Sequence, residues 1–174
     1  MFALEVKHQV FMSNSLYHSL MPDKKIFVTR YEELGWEHKD VKPRQAIRIN
    51  SINTKEVVVT KRLQSLGIML EKIPFLKNGY WIHKSKFSVG ATSEYLLGLY
   101  SIQEAAAQIP ATLFTEPKDN VVLDACAAPG GKTVQLADLM QNTGAIIALD
   151  IEKRRLTALS NHLERCHVKN TIVY

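Results

Sequence analysis

The run Val121-Val122-Leu123-Asp124 passes straight into Ala125-Cys126-Ala127-Ala128-Pro129-Gly130-Gly131-Lys132-Thr133, and this stretch constrains the fold more than any other. A short apolar run closed by an acid suits a strand buried in a parallel sheet. Glycines directly after it permit a tight turn and let backbone N–H groups approach a ligand. Val134, Ala137 and Met140, with Leu136 beside them, mark one face of the helix that follows, and Gly144 is expected to close it. Residues 145–149 form a second apolar run ending at Asp150. Leu156, Leu159, Leu163 and Cys166 recur at helical spacing, and residues 171–174 begin a third strand. Strand, glycine loop, helix, strand, acid, helix, strand is the first half of a doubly wound nucleotide-binding fold.

Such a site works through unpaired donors at a helix N terminus and a carboxylate closing the second strand, which can accept both hydroxyls of a ribose. Gly130 and Asp150 are 20 residues apart, the offset expected of that acid. Three ligands compete. A dinucleotide calls for G-x-G-x-x-G, which is missing. A nucleoside triphosphate calls for G-x-x-x-x-G-K-T; Gly131-Lys132-Thr133 matches its end, but its first glycine falls on Cys126, and Pro129 removes one of the donors that would wrap phosphate. S-adenosylmethionine carries no phosphate and needs a glycine loop for its amino-acid part and an acid for its ribose, both of which are here.

Upstream the pattern is that of a small mixed sheet. Residues 46–50 read as a strand. Asn53 and Glu56 stand at the spacing of a capping box, Val59, Leu63 and Leu66 give the helix its apolar face, and Gly67 ends it. Residues 68–73 read as a strand, and Asn78-Gly79 as a tight turn into Tyr80-Trp81-Ile82. Lys72, Lys77, Lys84 and Lys86 surround that hairpin and could meet phosphates or simply keep the edge soluble. Ser101-Ile102-Gln103-Glu104 reads as a second capping box, Pro110 as an interruption of the helix after it, and residues 116–120 as a polar boundary. Before residue 45, Leu16, Leu20 and Met21 suggest a helical stripe stopped by Pro22-Asp23. The expected division is a helical extension over 1–45, a small α+β domain with its linking helix over 46–115, and the start of the cofactor domain over 116–174.

The charge of +5 permits nucleic-acid binding without requiring it. Two cysteines, Cys126 and Cys166, are too few for a disulfide framework and lack metal-ligand spacing, so no metal site is expected and a reducing compartment is the default. Residues 1–10 carry no signal-type apolar core, and no run reaches the ~18 apolar residues of a membrane span. The expectation is a soluble, cytoplasmic protein with no membrane partner.

Asp124 through Thr133 resembles the cofactor motif of the Sun-type RNA cytosine-C5 methyltransferases. Arg48-Ile49-Asn50 resembles the R-x-N strand of that family's small N-terminal domain, and Gly98 through Gln103-Glu104 the segment leading into its catalytic domain. The resemblance covers residues 45–174, and its compact form is most similar to the archaeal members. It implies an α/β, Rossmann-like S-adenosylmethionine-dependent methyltransferase fold, here its first three strands, behind a small α+β domain. It implies that Cys126, Ala127, Ala128, Pro129, Gly130, Gly131 and Lys132 wrap S-adenosylmethionine and that Asp150 binds its ribose. Arg155 matches a position that touches the cofactor in some members, its alternative being a solvated helix charge. The implied substrate is cytosine in tRNA or rRNA.

Members of that family add a cysteine thiolate to carbon 6 of cytosine and release product with a second cysteine, from Pro-Cys and Thr-Cys motifs on later strands. The sequence stops at Tyr174, before either motif, so no catalytic residue is assigned and a fragment is expected. Cys126 belongs to the cofactor loop and Cys166 to an apolar helix stripe; neither is expected to substitute. The edge of the Val121–Asp124 strand should then be exposed unless a second copy or a separate C-terminal portion covers it. A non-catalytic RNA-binding module and, behind it, a P-loop-like NTPase remain the alternative functions.

Overall fold

A computed structural model describes residues 24–37 and 42–174; the expected stripe of Leu16, Leu20 and Met21 and its Pro22-Asp23 stop lie outside the described residues. The chain divides into two units, Met1–Lys42 and Pro43–Tyr174. In the first, α1 (Lys24–Glu33) ends where Gly35 takes φ +77° and Trp36 sets its ring edge-on to Tyr31, 5.6 Å between centroids. No helix among the described residues is long and apolar enough to cross a membrane.

The second unit holds two sheets. The first is antiparallel, in the order β2-β3-β1-β4, from β1 (Ala46–Ile49), β2 (Met69–Lys72), β3 (Gly79–Lys84) and β4 (Tyr100–Ile102). Central β1 is buried on both faces, and strand alternation divides its side chains. Ile47 and Ile49 pack with Val59 and Leu63 of α2 (Glu56–Ser65) and with Ile68, Val89 and Tyr100. On the opposite face Ala46 meets Ile73 and Leu76. Gly67 ends α2 as the sequence predicts: it takes φ +79°, its N–H bonds Gln64 O at 2.9 Å, and Ile68 N bonds Leu63 O at 3.0 Å. A short helix α3 (Ser93–Leu96), capped by the Thr92 hydroxyl on Tyr95 N at 3.1 Å, precedes β4.

The second sheet is parallel, in the order β5-β6-β7, from β5 (Val121–Asp124), β6 (Ala145–Ala148) and β7 (Thr171–Val173). Helices α5 (Gly131–Met140) and α6 (Lys153–Arg165) cover one face of it. Val122 and Ile146 pack under Leu136, Ala137 and Met140, and Ala148 packs under Val134, Leu159, Leu163 and Cys166. Helix α4 (Ala105–Thr112) links the sheets, contains Pro110, and stops two residues after it. The expected open edge is present among the described residues: β5 is a terminal strand, and Val121 and Leu123 are 72% and 60% exposed.

Three local expectations fail, and the two capping boxes do so because tertiary partners outcompete local ones. Ser101 lies in β4, not in a capping box, and α4 starts at Ala105 with no side-chain cap. Asn53 does not cap α2, whose flanking residue is Lys55; its amide donates to Cys166 O at 3.2 Å, while Glu56 turns to Lys72 at 2.6 Å. The turn expected before Tyr80 is present, at Lys77-Asn78, and Gly79 opens β3, where a Cβ would lie 2.8 Å from Gln108 Oε1 and from Leu76 Cβ. Helix α5 is closed by Gln141 and Asn142, both left-handed, and not by Gly144, which sits where a Cβ would meet Asn120 O at 2.2 Å.

A buried polar cluster joins the two sheets. Arg48 Nη1 reaches Asp138 Oδ2 on α5 at 3.2 Å, and its Nε donates to Gln103 Oε1 at 3.0 Å. Gln103 Nε2 donates to Gln135 Oε1, Gln135 Nε2 to Gln108 O, and Gln108 Nε2 back to Gln103 O. Ser51 donates to the other Asp138 oxygen at 2.5 Å, and Asn50 Nδ2 donates to Gly98 O and Cys166 O at 3.1 and 3.0 Å. Gly98 itself, at φ +67°, lies so close to α6 that a Cβ would fall 1.9 Å from Arg165 O.

Removing one partner of a buried pair leaves a charge without compensation. Asp138→Leu is therefore expected to cost about 3–5 kcal/mol in urea unfolding, and the Arg48→Met/Asp138→Leu double variant distinctly less. A double variant as unstable as the single would mean that the ion pair does not set this cost.

Candidate cofactor-binding site

The site grows from the C-terminal ends of β5 and β6. Asp124 closes β5: its Oδ1 accepts from Cys126 N at 3.3 Å and its Oδ2 from the buried Thr133 hydroxyl at 2.8 Å, tying the start of the loop to the start of α5. Ala127 and Ala128 turn their methyls into the core against Val134 and Leu159. Their amides are taken as well, Ala127 N by Leu149 O at 2.9 Å and Ala128 N by Asp150 Oδ2 at 3.0 Å. Gly130 N bonds Ala127 O at 2.7 Å. Gly130 also takes φ +101° and stands against α6, where a Cβ would be 3.0 Å from Leu159 Cδ1. Gly131 differs: a Cβ there would meet only Gln103, at 3.8 Å, so the protein leaves room in front of the first helical amides.

Asp150 and Arg155 are brought together on the loop. Asp150 Oδ1 accepts from Glu152 N at 3.1 Å, and Arg155 Nη1 lies 3.5 Å from Oδ2 while its Nη2 donates to Ala128 O. The Glu152 amide, then the Ala128 amide, with the Arg155 charge behind them, hold the Asp150 carboxyl below the usual carboxylate range. A carboxylate has about four acceptor positions, so two remain for a diol. Arg155 is thus a brace between the acid and the loop. Cys126 and Lys132 are exposed, and both line a cavity of about 260 Å³ with Asp124, Phe114, Leu123 and Leu136. Cys166 is fully buried.

The arrangement discriminates between ligands. The amides of Cys126, Ala127, Ala128 and Gly130 all have acceptors within the protein, and Pro129 has none to give. A phosphate wrapped by this loop would find no run of donors. What remains is the first turn of α5, Gly131 to Thr133, whose amides have no acceptor in their own helix, plus the acid of β6. That donor set fits the amino-acid carboxylate and ribose of S-adenosylmethionine.

Three contributors were not singled out in the sequence. Asp124 and Thr133 stood inside the recognised motif but carried no assigned role. His162 was missed altogether, although its position, three residues after Leu159 and beside Leu163, puts it next to the buried stripe. Its Nδ1 lies 3.1 Å from Pro129 O and its Nε2 3.0 Å from Ser101 Oγ.

The chain is also similar to known proteins. Residues 22–105 match the family model described as the N-terminal domain of 16S rRNA methyltransferase RsmF, and residues 111–174 that of 16S rRNA methyltransferase RsmB/F. Ribosomal RNA small subunit methyltransferase F of Aeromonas hydrophila is 41% identical over 133 residues, covering 73% of this chain and 28% of that protein. The human 28S rRNA (cytosine(4447)-C(5))-methyltransferase is 36% identical over 128 residues, 73% of this chain and 16% of that protein. Among solved structures, a methyltransferase homolog protein from Pyrococcus horikoshii superposes with a TM-score of 0.72 at 33% identity, over 91% of this chain and 50% of that one. The chain thus spans under a third of the length of these two sequence relatives.

His162 gives the site a pH signature. Partial burial, with Arg165 and Arg48 nearby, pushes its pKa from 6.5 down to about 4 against the opposing pull of the Pro129 carbonyl. The unfolded chain then binds the proton more readily, so stability is full above about pH 6.5 and is lost as pH falls toward about 4. Between about pH 7.5 and 4.5 the parent chain should lose about 1–2 kcal/mol more stability than His162→Asn, as read by urea unfolding. Equal losses would mean that the ring titrates normally.

Proposed function

Because this chain belongs to the Sun-type RNA methyltransferase family that includes the RsmB/F enzymes, we propose that it carries the S-adenosylmethionine half-site of a ribosomal RNA cytosine-C5 methyltransferase. The observation that carries this reading is the spent loop: four amides are tied inside the protein, leaving the α5 N terminus as the free donor set, with the Asp150 carboxylate beside it. On this reading Cys126 to Lys132 surround the amino-acid part, the amides of Gly131 and Lys132 meet its carboxylate, Asp150 takes the ribose hydroxyls, and Arg155 keeps Asp150 and Ala128 in register. S-adenosylmethionine supplies an electrophilic methyl group. Neither cysteine is assigned as nucleophile, since Cys166 lies in the core and Cys126 in the cofactor loop. Family members draw that thiolate from later motifs.

Ribosomal RNA is favoured over tRNA by the relatives' names. Exposed Lys77, Lys84 and Lys86 on the hairpin of the small sheet suit phosphate contact, whereas Lys72 is committed to Glu56. We propose a cytoplasmic location, the compartment expected from the sequence. The bare edge at β5 is read as a pairing surface, for a second copy or for a polypeptide carrying later strands. Size-exclusion chromatography should then show concentration-dependent association of the 174-residue chain. A folded monomer that persists on dilution would remove that part of the reading.

Calorimetric titration with S-adenosylmethionine, with ATP as control, tests the cofactor assignment. Saturable binding of the first alone is expected, weakened about tenfold or more by Asp150→Ala, the scale of a lost charge-assisted hydrogen bond. Preferred binding of ATP, or indifference to Asp150→Ala, would overturn it.

A further inference from the structure

We propose that His162 is a positioning residue for the cofactor loop, holding the Pro129 carbonyl with one ring nitrogen and the Ser101 hydroxyl with the other. The inference rests on the reading of that loop as the S-adenosylmethionine site. Each other part of the loop has its own tether. Cys126 is tied to Asp124, Ala127 to Leu149, and Ala128 to Asp150 and Arg155. The crown at Pro129-Gly130 has less. Pro129 has no N–H, and the Gly130 amide turns back into the loop. From outside the loop the crown is held by Val134 N, which donates to Gly130 O at 2.9 Å, and on the Pro129 side by His162 Nδ1, 3.1 Å from Pro129 O. The ring also backs Gly130, where an added Cβ would sit 3.3 Å from Nδ1.

The hydrogen bonds fix the state of the ring. A carbonyl only accepts, so Nδ1 carries the proton. In the neutral ring Nε2 is then an acceptor, and the Ser101 hydroxyl, 3.0 Å away, donates to it. Burial favours this neutral form, and so do the charges of Arg165 on its own helix and Arg48 on β1. Ser101 is itself immobile, buried in β4 opposite Arg48 in the sheet register. The small sheet therefore reaches the loop crown through two hydrogen bonds, and the residue after that crown opens the turn of α5 that offers its amides.

Substitution separates positioning from bulk stability. In His162→Asn a carboxamide N–H can occupy the place of Nδ1–H, while His162→Leu fills space with no donor. Calorimetry at neutral pH should find S-adenosylmethionine affinity within about threefold of the parent for Asn and about tenfold weaker for Leu, the worth of one well-placed hydrogen bond. Nitrogen NMR of the parent should show protonated Nδ1 and bare Nε2, and Ser101→Ala should mix the two tautomers. A Leu variant that binds like the parent, an Asn variant as weak as Leu, or a proton on Nε2 would each overturn the positioning role while leaving the cofactor reading intact. A parent chain that shows the Nδ1–H tautomer yet binds no S-adenosylmethionine would overturn both.

Discussion

The Arg48–Asp138 pair is the rivet on which the rest of this unit depends. It sits between two sheets of different construction, one antiparallel and one parallel, and both of its side chains are nearly inaccessible. Apolar contact between two such surfaces would tolerate several registers; a charged pair with a three-glutamine ring tolerates one. The ring leaves few donors idle, and its members come from β4's exit, α4 and α5, so each of those elements is placed relative to β1 by direction as well as distance. Asn50 extends the same logic to α6 by bonding the carbonyls of Gly98 and Cys166. The R-x-N strand is thus an organising element: its isoleucines build the small core and its polar residues aim the cofactor helices.

That placement explains how a loop with a Gly-Lys-Thr ending avoids the chemistry such an ending suggests. In a phosphate loop successive amides converge outward on the ligand. Here they converge on Asp124, Leu149, Asp150 and Ala127, and each is tied within the protein. Asp150 orders the loop by accepting from Ala128, and on the proposed reading it has a second duty, accepting from a diol. The two are compatible because a carboxylate in-plane can serve an amide and a hydroxyl on the same oxygen.

The elements that the sequence made legible are those whose signal is periodic burial. The Leu156, Leu159 and Leu163 stripe with Cys166 just beyond its helix, the apolar runs at 121–124 and 145–149, and the strand at 46–50 fall on their elements to within a residue. Signals carried by single polar residues fared worse. Ser101 and Asn53 have the chemistry of helix caps, but each found a partner distant in sequence, His162 for one and Cys166 O for the other. A cap is worth about 0.5–2 kcal/mol, which one buried tertiary hydrogen bond can match, so a local pattern cannot decide the outcome. The loop residues were legible as a motif, yet their division of labour was not: which amides are spent depends on where β6 and α6 bring Leu149, Asp150 and His162.

The bare face of the parallel sheet bears on stability more than on the site. Val121, Leu123 and Ile172 are exposed, and apolar area of this kind costs about 25 cal/mol per Å² left in water. None of the loop's tethers comes from that face. Asp124 points with Val122 toward the helices, and Asp150, Arg155 and His162 all reach the loop from β6 and α6, on the covered side. The shape of the half-site therefore rests on β5, β6, α5 and α6 together with the small sheet, whose Arg48 and Ser101 reach α5 and His162.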